Sequence, residues 1–204
     1  MMKKNGFTLA EVLITLAIIG VVATLTLPSL MTNVQEQQAV TAMKKGANTL
    51  VEAATFNAAA NGFDFNDVNG FGKKAEIYDT DGNVNKTAWG ILGSNANIDS
   101  ARSTDSIIIF RDGTSVSAGT GNSPCSAIAG EGIYGTPTYL IFDTNGPKSP
   151  NTPSKCTGDA CGEKKNRQIK DQFKVCVGGS SIWGADAPAK WALTGEFKKA
   201  AAGG

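Results

Sequence analysis

The chain has 204 residues, a formal net charge of +1 and no histidine. Near-neutrality excludes a global field that recruits polyanions, and the missing histidine removes the commonest general base and the commonest metal ligand. Twenty-four glycines, with frequent Asn, Ser and Thr, predict a loop-rich body with turns and strands, and the length beyond residue 30 suffices for one domain with its own core.

The chain opens on KKNGFTLAEVLITLAIIGVVATLTLPSL, residues 3–30. Lys3 and Lys4 precede a short polar turn, and a mostly apolar run then fills residues 7–27. As a helix this run extends about 31 Å, close to the thickness of a bilayer's hydrocarbon core. By the positive-inside bias the two lysines hold the leader in the cytoplasm and send the remainder outward. The run is longer than the core of a secretory signal, and TLTLPSLMTNV is a poor match to a small-residue cleavage site. It also carries one carboxylate, Glu11. An ionisable group in a membrane helix is costly to insert, so it signals function and requires a partner.

Gly6, Phe7, Thr8, Leu9, Ala10 and Glu11, followed by the long apolar helix, resemble the N-terminal signal of type IV pilins and of type II secretion pseudopilins. The resemblance covers about the first thirty residues. It implies cleavage between Gly6 and Phe7 by a membrane-embedded prepilin peptidase, then N-methylation of Phe7. The new amine at Phe7 lies one helical turn from Glu11, on the same face. Glu11 can therefore neutralise its own terminus or that of a neighbouring subunit, an assembly salt bridge that the helix dipole also favours. The family further implies a helical filament of pilin-like subunits, an inner-membrane platform and a separate ATPase motor, since this chain has no P-loop. It places the protein in the bacterial inner membrane, single-pass with its head outside the cytoplasm, and then in a periplasmic or extracellular filament.

Pro28 removes one helical hydrogen bond and is expected to kink the helix, as many pilins do beyond the membrane segment. The other reading ends the helix there and lets Ser29 cap a second one. Residues 29–61 read as an amphipathic helix, with Val40, Met43, Ala47, Leu50 and Ala54 on one face and a stop at Asn61 and Gly62. Residues 62–105 give no clear elements. Within them DTDGN, with Asp79, Asp81 and Asn83, begins like a calcium loop, but the later bidentate acid is missing, so it is read as a turn.

SIIIFRDGTSVSA, residues 106–118, reads as a hairpin about a two-residue turn, Asp112 and Gly113. TPTYLIFD (136–143) and DQFKVCVGG (171–179) supply further strands. The expected architecture is α+β: a long N-terminal helix packed on a small antiparallel sheet of three to five strands. The segments are a basic leader (1–6), a transmembrane and assembly helix (7–28), an amphipathic helix (29–61), and a soluble head (62–204) with a disordered tail.

Four cysteines, Cys125, Cys156, Cys161 and Cys176, allow three connectivities. No C-x-x-C pair favours zinc. Cys156 and Cys161 bracket a short loop, so the preferred pairing joins them and leaves Cys125 with Cys176. The loop DTNGPKSPN, residues 143–151, resembles an Asp-x-Asn-Gly…Pro-Asn segment of pseudopilin-like heads, followed here by Asp171 and Phe173. In some relatives an equivalent loop binds calcium, which makes Asp143, Asn145, Asn151 and Asp171 candidate ligands. An Asx turn without metal is the preferred reading, and no other cofactor is expected.

The cluster Lys164, Lys165, Arg167, Lys170 and Lys174 resembles DNA-contacting patches of some pilin-like proteins. Glu163 and Asp171 dilute it, so a solvated loop is preferred and nucleic acid is not an expected partner. Trp183 and Trp191 are read as core rather than as a site. No G-x-S-x-G and no metal cluster is present, so the chain is not read as an enzyme. The expectation is a filament subunit. DTNGPKSPN leans towards a pseudopilin, and the position of the last cysteine, Cys176, leans away from an adhesive major pilin. The alternative is a minor, tip-located or membrane-anchored binding module for DNA, a secreted protein or a surface glycan.

Overall fold

A computed structural model describes residues 7–120, 125, 137–149, 151–156, 161, 163, 167–179 and 181–194, with Ser29 described by its backbone alone. The first element, α1, spans Leu9–Asn61 without a break. It runs through Pro28, so the reading in which Pro28 ends one helix and a second begins is corrected. Proline has no N–H to give the carbonyl of Thr24 one turn earlier. The rest of the ladder carries the helix across this single lost bond. The Pro28 carbonyl also accepts a hydrogen bond from the Thr32 hydroxyl at 2.7 Å. α1 stops where the sequence signals it: Gly62 adopts φ +75°, and its N–H returns to the Ala58 carbonyl at 3.0 Å. This is the left-handed cap that glycine adopts without strain.

The chain divides into two units, Met1–Gln38 and Ala39–Gly204. In the first, the described apolar side chains are exposed all round the helix, among them Leu13, Ile14, Leu16, Ile18, Ile19, Val21 and Val22. A helix apolar on every side needs an apolar surrounding. By length and composition it is able to cross a membrane. Three of its hydroxyls bond within the helix: those of Thr15, Thr24 and Thr26 donate to the carbonyls of Val12, Val21 and Val22, so these need no water.

In the second unit α1 becomes one-sided. Met43, Leu50 and Ala54 are fully buried, with Ala47 and Ala53 nearly so, and Val40 is partly buried against the same core. They face a five-stranded antiparallel sheet of order β1-β2-β3-β6-β7. Its strands are β1 (Ile107–Ile109), β2 (Ser115–Ala118), β3 (Thr138–Asp143), β6 (Gln172–Gly178) and β7 (Ser181–Gly184). The alternation of side chains sends Ile108, Val116, Leu140, Phe142, Phe173, Val175 and Val177 into one core. Gly46 lets α1 approach β3, because a Cβ there would overlap the Phe142 ring. The connection from β1 to β2 runs from residue 110 to 114. This corrects the expected two-residue turn: the Phe110 N–H bonds the Thr114 carbonyl, and Gly113 sits at φ +95°.

The stretch that gave no clear elements folds as well. A single 3₁₀ turn, Lys74–Glu76, precedes α2, Ala88–Asn95. The Thr87 hydroxyl caps α2 by accepting the Gly90 N–H at 2.9 Å. Trp89, Ile91 and Leu92 are fully buried, each worth roughly 1.5–3 kcal/mol in transfer terms. The last helix, α3 (Ala187–Thr194), is capped by Asp186, which accepts the Ala189 N–H at 3.1 Å. It seats Ala189 against Gly184 of β7. A small antiparallel pair, β4 (Lys155–Cys156) with β5 (Arg167–Gln168), lies outside the main sheet. The architecture is α+β, with a long N-terminal helix and a small antiparallel sheet, as the sequence predicts.

Candidate assembly site at the helix N-terminus

The residues that start α1 form a reciprocal cap. Thr8 precedes the first helical residue, and its Oγ1 accepts the Glu11 N–H at 3.3 Å. Glu11 Oε2 in return accepts the Thr8 N–H and the Thr8 hydroxyl, both at 2.8 Å. This is the S/T-x-x-E capping box, in which side chains satisfy N–H groups that a helix terminus otherwise leaves open. Only one carboxylate oxygen is used. Among the described residues, Oε1 of Glu11 has no hydrogen-bond partner. Phe7, immediately before the cap, is 90% exposed.

The role of Thr8 was legible and overlooked: Thr-Leu-Ala-Glu directly before an apolar run is a helix-start signature. The box bears on how a carboxylate is tolerated in an apolar segment. One oxygen is engaged by donors of its own chain, and the helix N-terminus places positive potential beside it. The other oxygen stays free for a cation. Gly6, Lys3 and Lys4 lie outside the described residues.

The other candidate residues fall in three places in the second unit. Cys125 pairs with Cys176, and Cys156 with Cys161, which engages all four thiols and leaves none for zinc. The first bridge ties residue 125 to β6, and the second closes the end of the β4–β5 pair. The Arg167 guanidinium of that pair lies over the Trp191 ring of α3, 4.1 Å from its centroid, and also donates to the Cys161 carbonyl. Arg167 therefore acts as a packing residue. Lys170 and Lys174 are exposed, whereas Lys164 and Lys165 lie outside the described residues. Trp183 and Trp191 are half-buried.

Asp143, Asn145 and Asp171 do come together. Asp143 accepts the Asn145 N–H at 3.1 Å and the Gln172 amide at 3.0 Å, one on each oxygen. Asp171 accepts the Thr152 N–H at 2.8 Å and the Asn145 Nδ2 at 3.0 Å, again one on each oxygen. The Asp171 carbonyl receives the Thr144 N–H. All four carboxylate oxygens thus face N–H donors, the arrangement of an Asx-type clamp that ties the loop after β3 to the start of β6. Asn151 stands exposed, and the neighbouring Thr152 supplies the contact instead. Asn145 Oδ1 is buried without a partner, so the cluster has one orphaned acceptor. A calcium ion could use that oxygen but would have to displace several N–H donors to gain the carboxylates. Burial pushes the Asp143 carboxyl above its ordinary range, against the Gln172, Asn145 and Gly146 donors and aided by the Asp171 charge.

In the turn at residues 79–83, Asp79 Oδ1 accepts the N–H groups of Asp81 and Asn83. These bonds, led by Asn83, hold its carboxyl below the usual range. The turn is also closed by its own backbone, through the Asp79 N–H to the Asn83 carbonyl and the Gly82 N–H to the Asp79 carbonyl.

Residues 1–27 match the family model of the prokaryotic N-terminal methylation motif. The chain therefore carries a prepilin-type signal of the kind found in type IV pilins and pseudopilins. No curated protein and no solved structure matches the chain.

Proposed function

We propose that this chain is a structural subunit of a type IV pilus-like or type II secretion pseudopilus filament. On this reading, prepilin peptidase severs the bond between Gly6 and Phe7 and methylates the exposed amine. The mature helix anchors the subunit in the membrane until neighbouring helices bundle into a filament core. An inner-membrane platform and a separate ATPase supply the work. The observation that carries the reading is the pairing of the methylation motif with the geometry of Glu11. One of its oxygens is fixed by Thr8, and the other is left for an ammonium one turn away. A methylated amine keeps its positive charge, and in a low-dielectric bundle an unpaired carboxylate is far costlier than a paired one. Helices therefore gain most when each Glu11 meets a Phe7 terminus, which sets their axial register.

Intact-mass measurement tests this directly. Full chain from a host with prepilin peptidase should lack residues 1–6 and carry one added methyl group, and chain from a host without it should retain both ends. Retention of residues 1–6 in the competent host overturns the proposal.

A further inference from the structure

The second unit carries an open cleft of about 690 Å³, within the size range of small-molecule sites. It lies between the end of α1 and the segment leading into α2, away from the β3–β6 clamp. Four asparagines are among its lining residues: Asn61, Asn69, Asn83 and Asn85. Three of these spend their nitrogen inside the protein. Asn61 Nδ2 donates to Asn57 Oδ1, Asn83 Nδ2 to Asp79, and Asn85 Nδ2 to the Glu76 carbonyl. Their amide oxygens accept no hydrogen bond from the described residues. The Asn69 side chain has no partner at all among them. Three lining amides are thus oriented by the bonds on their nitrogen ends and keep their oxygens as acceptors, and the fourth is able to donate and accept.

Charge and aromatic placement narrow the ligand. One carboxylate, Asp79, and one ammonium, Lys86, line the cleft, so the walls carry no net charge. Lys86 lies over the Phe63 ring at 5.5 Å, which turns that ring into covered floor. Tyr78 pairs across an antiparallel bridge with Val84, a lining residue. Residues directly opposite in such a pair project to the same face, so the Tyr78 side chain, 54% exposed, neighbours that of Val84 without itself lining the cleft. Acceptors for several hydroxyl donors, neutral walls and one amphipathic aromatic surface for C–H stacking together describe a carbohydrate.

We infer that this cleft binds a neutral saccharide of one to three units. The hydroxyls donate to the oxygens of Asn61, Asn83 and Asn85, Asn69 bridges a further pair, and the Tyr78 ring packs on a sugar face. The inference concerns the second unit and does not depend on filament assembly.

The test uses the full chain in detergent, titrated calorimetrically with maltotriose, cellotriose and chitotriose, and with heparin as a polyanion. Wild type should bind at least one neutral trisaccharide saturably, with Kd no weaker than roughly 1 mM. Asn69→Ala and Tyr78→Ala, both at exposed positions, should each weaken it about tenfold or more with unchanged circular dichroism. A Trp191→Phe variant, remote from the cleft, should bind as wild type does. Absence of binding by all three sugars, binding of heparin alone, or binding that both cleft variants leave intact overturns the inference.

Discussion

Gly46 of α1 sits directly against the Phe142 ring of β3, so that a single added carbon at position 46 would occupy the ring's space. Glycine normally weakens a helix interior by about 1 kcal/mol relative to alanine. Here it lets the helix settle onto the middle strand of the five, where Phe142 is fully buried. One turn on either side, Met43 and Leu50 are also fully buried, so the ring is enclosed by the face of α1 that the sequence periodicity identifies.

Gly46→Val should therefore destabilise the second unit by about 1–3 kcal/mol, the usual cost of forcing extra carbons into a packed core. Adding Phe142→Leu to it should recover part of the loss, because the two sites share one space. Denaturant melts of the full chain in detergent, followed by tryptophan fluorescence, measure both. An additive double variant would show that the ring does not limit the approach.

Glu11→Ala should abolish incorporation into filaments while leaving peptidase processing and the second unit's melt unchanged. Thr8→Val removes the hydroxyl that binds Glu11 Oε2, and Thr8→Ser keeps it. Incorporation should fall several-fold in the first and be restored in the second, since a lost N-cap costs about 1 kcal/mol and frees the carboxylate to leave its position. Sheared-filament yield against total chain reads both.

The pH dependence has opposite signs at different carboxylates. Burial lifts Asp186 above its ordinary range despite the Ala189 N–H and the nearby Lys174, and Asp143 is raised likewise. A raised folded pKa means the folded state holds more protons, so this contribution is complete below the ordinary value of 3.8 and is lost as pH rises through the folded pKa. Asp112 behaves the other way. Burial pushes it up, but the Thr114 donors and Lys45 at 3.0 Å outweigh that and hold it low. Its contribution is lost as pH falls through that lowered value. Asp186→Asn keeps an oxygen to cap α3 and removes the buried charge. It should match or exceed wild-type stability at pH 7 and flatten the decline above pH 4, as read from urea midpoints across pH.

Asp171→Ala strips acceptors from the Thr152 N–H and the Asn145 amide and should cost about 1–3 kcal/mol. With every carboxylate oxygen of the clamp already facing a donor, added calcium or EDTA should leave the wild-type thermal midpoint where it is. A rise with calcium that Asp171→Ala removes would instead establish a bound ion.

The parts legible in the sequence were those where one local pattern suffices. The three- and four-residue spacing of Met43, Ala47, Leu50 and Ala54 identifies the buried face of α1, and Asn61 followed by Gly62 marks its end. The β-branched run at 107–109 marks a strand. The helix α2, AWGILGSN, was not legible. Eight residues with two glycines carry little helical preference, and α2 exists because Thr87 caps it and Trp89, Ile91 and Leu92 enter a core built by distant elements. The amide cleft was equally hidden: residues 61, 69, 83 and 85 share no period, and only the turn at 79–83 and the end of α1 bring them together.

The apolar helix and its prepilin-type motif are carried by the sequence alone. Hydrophobic length, the Gly6-Phe7 pair and a carboxylate at residue 11 are local facts, and a helix satisfies its own backbone in apolar surroundings without help from the remaining chain. Tertiary structure alone decided the rest. It drew β3 beside β6 across the intervening loop, placed Cys125 against Cys176 of β6 in the pairing that the short 156–161 loop had favoured, and surrounded Asp143 and Asp171 with N–H donors. Each of these depends on which groups reach one another after the apolar faces have been buried, and no single stretch of chain holds that information.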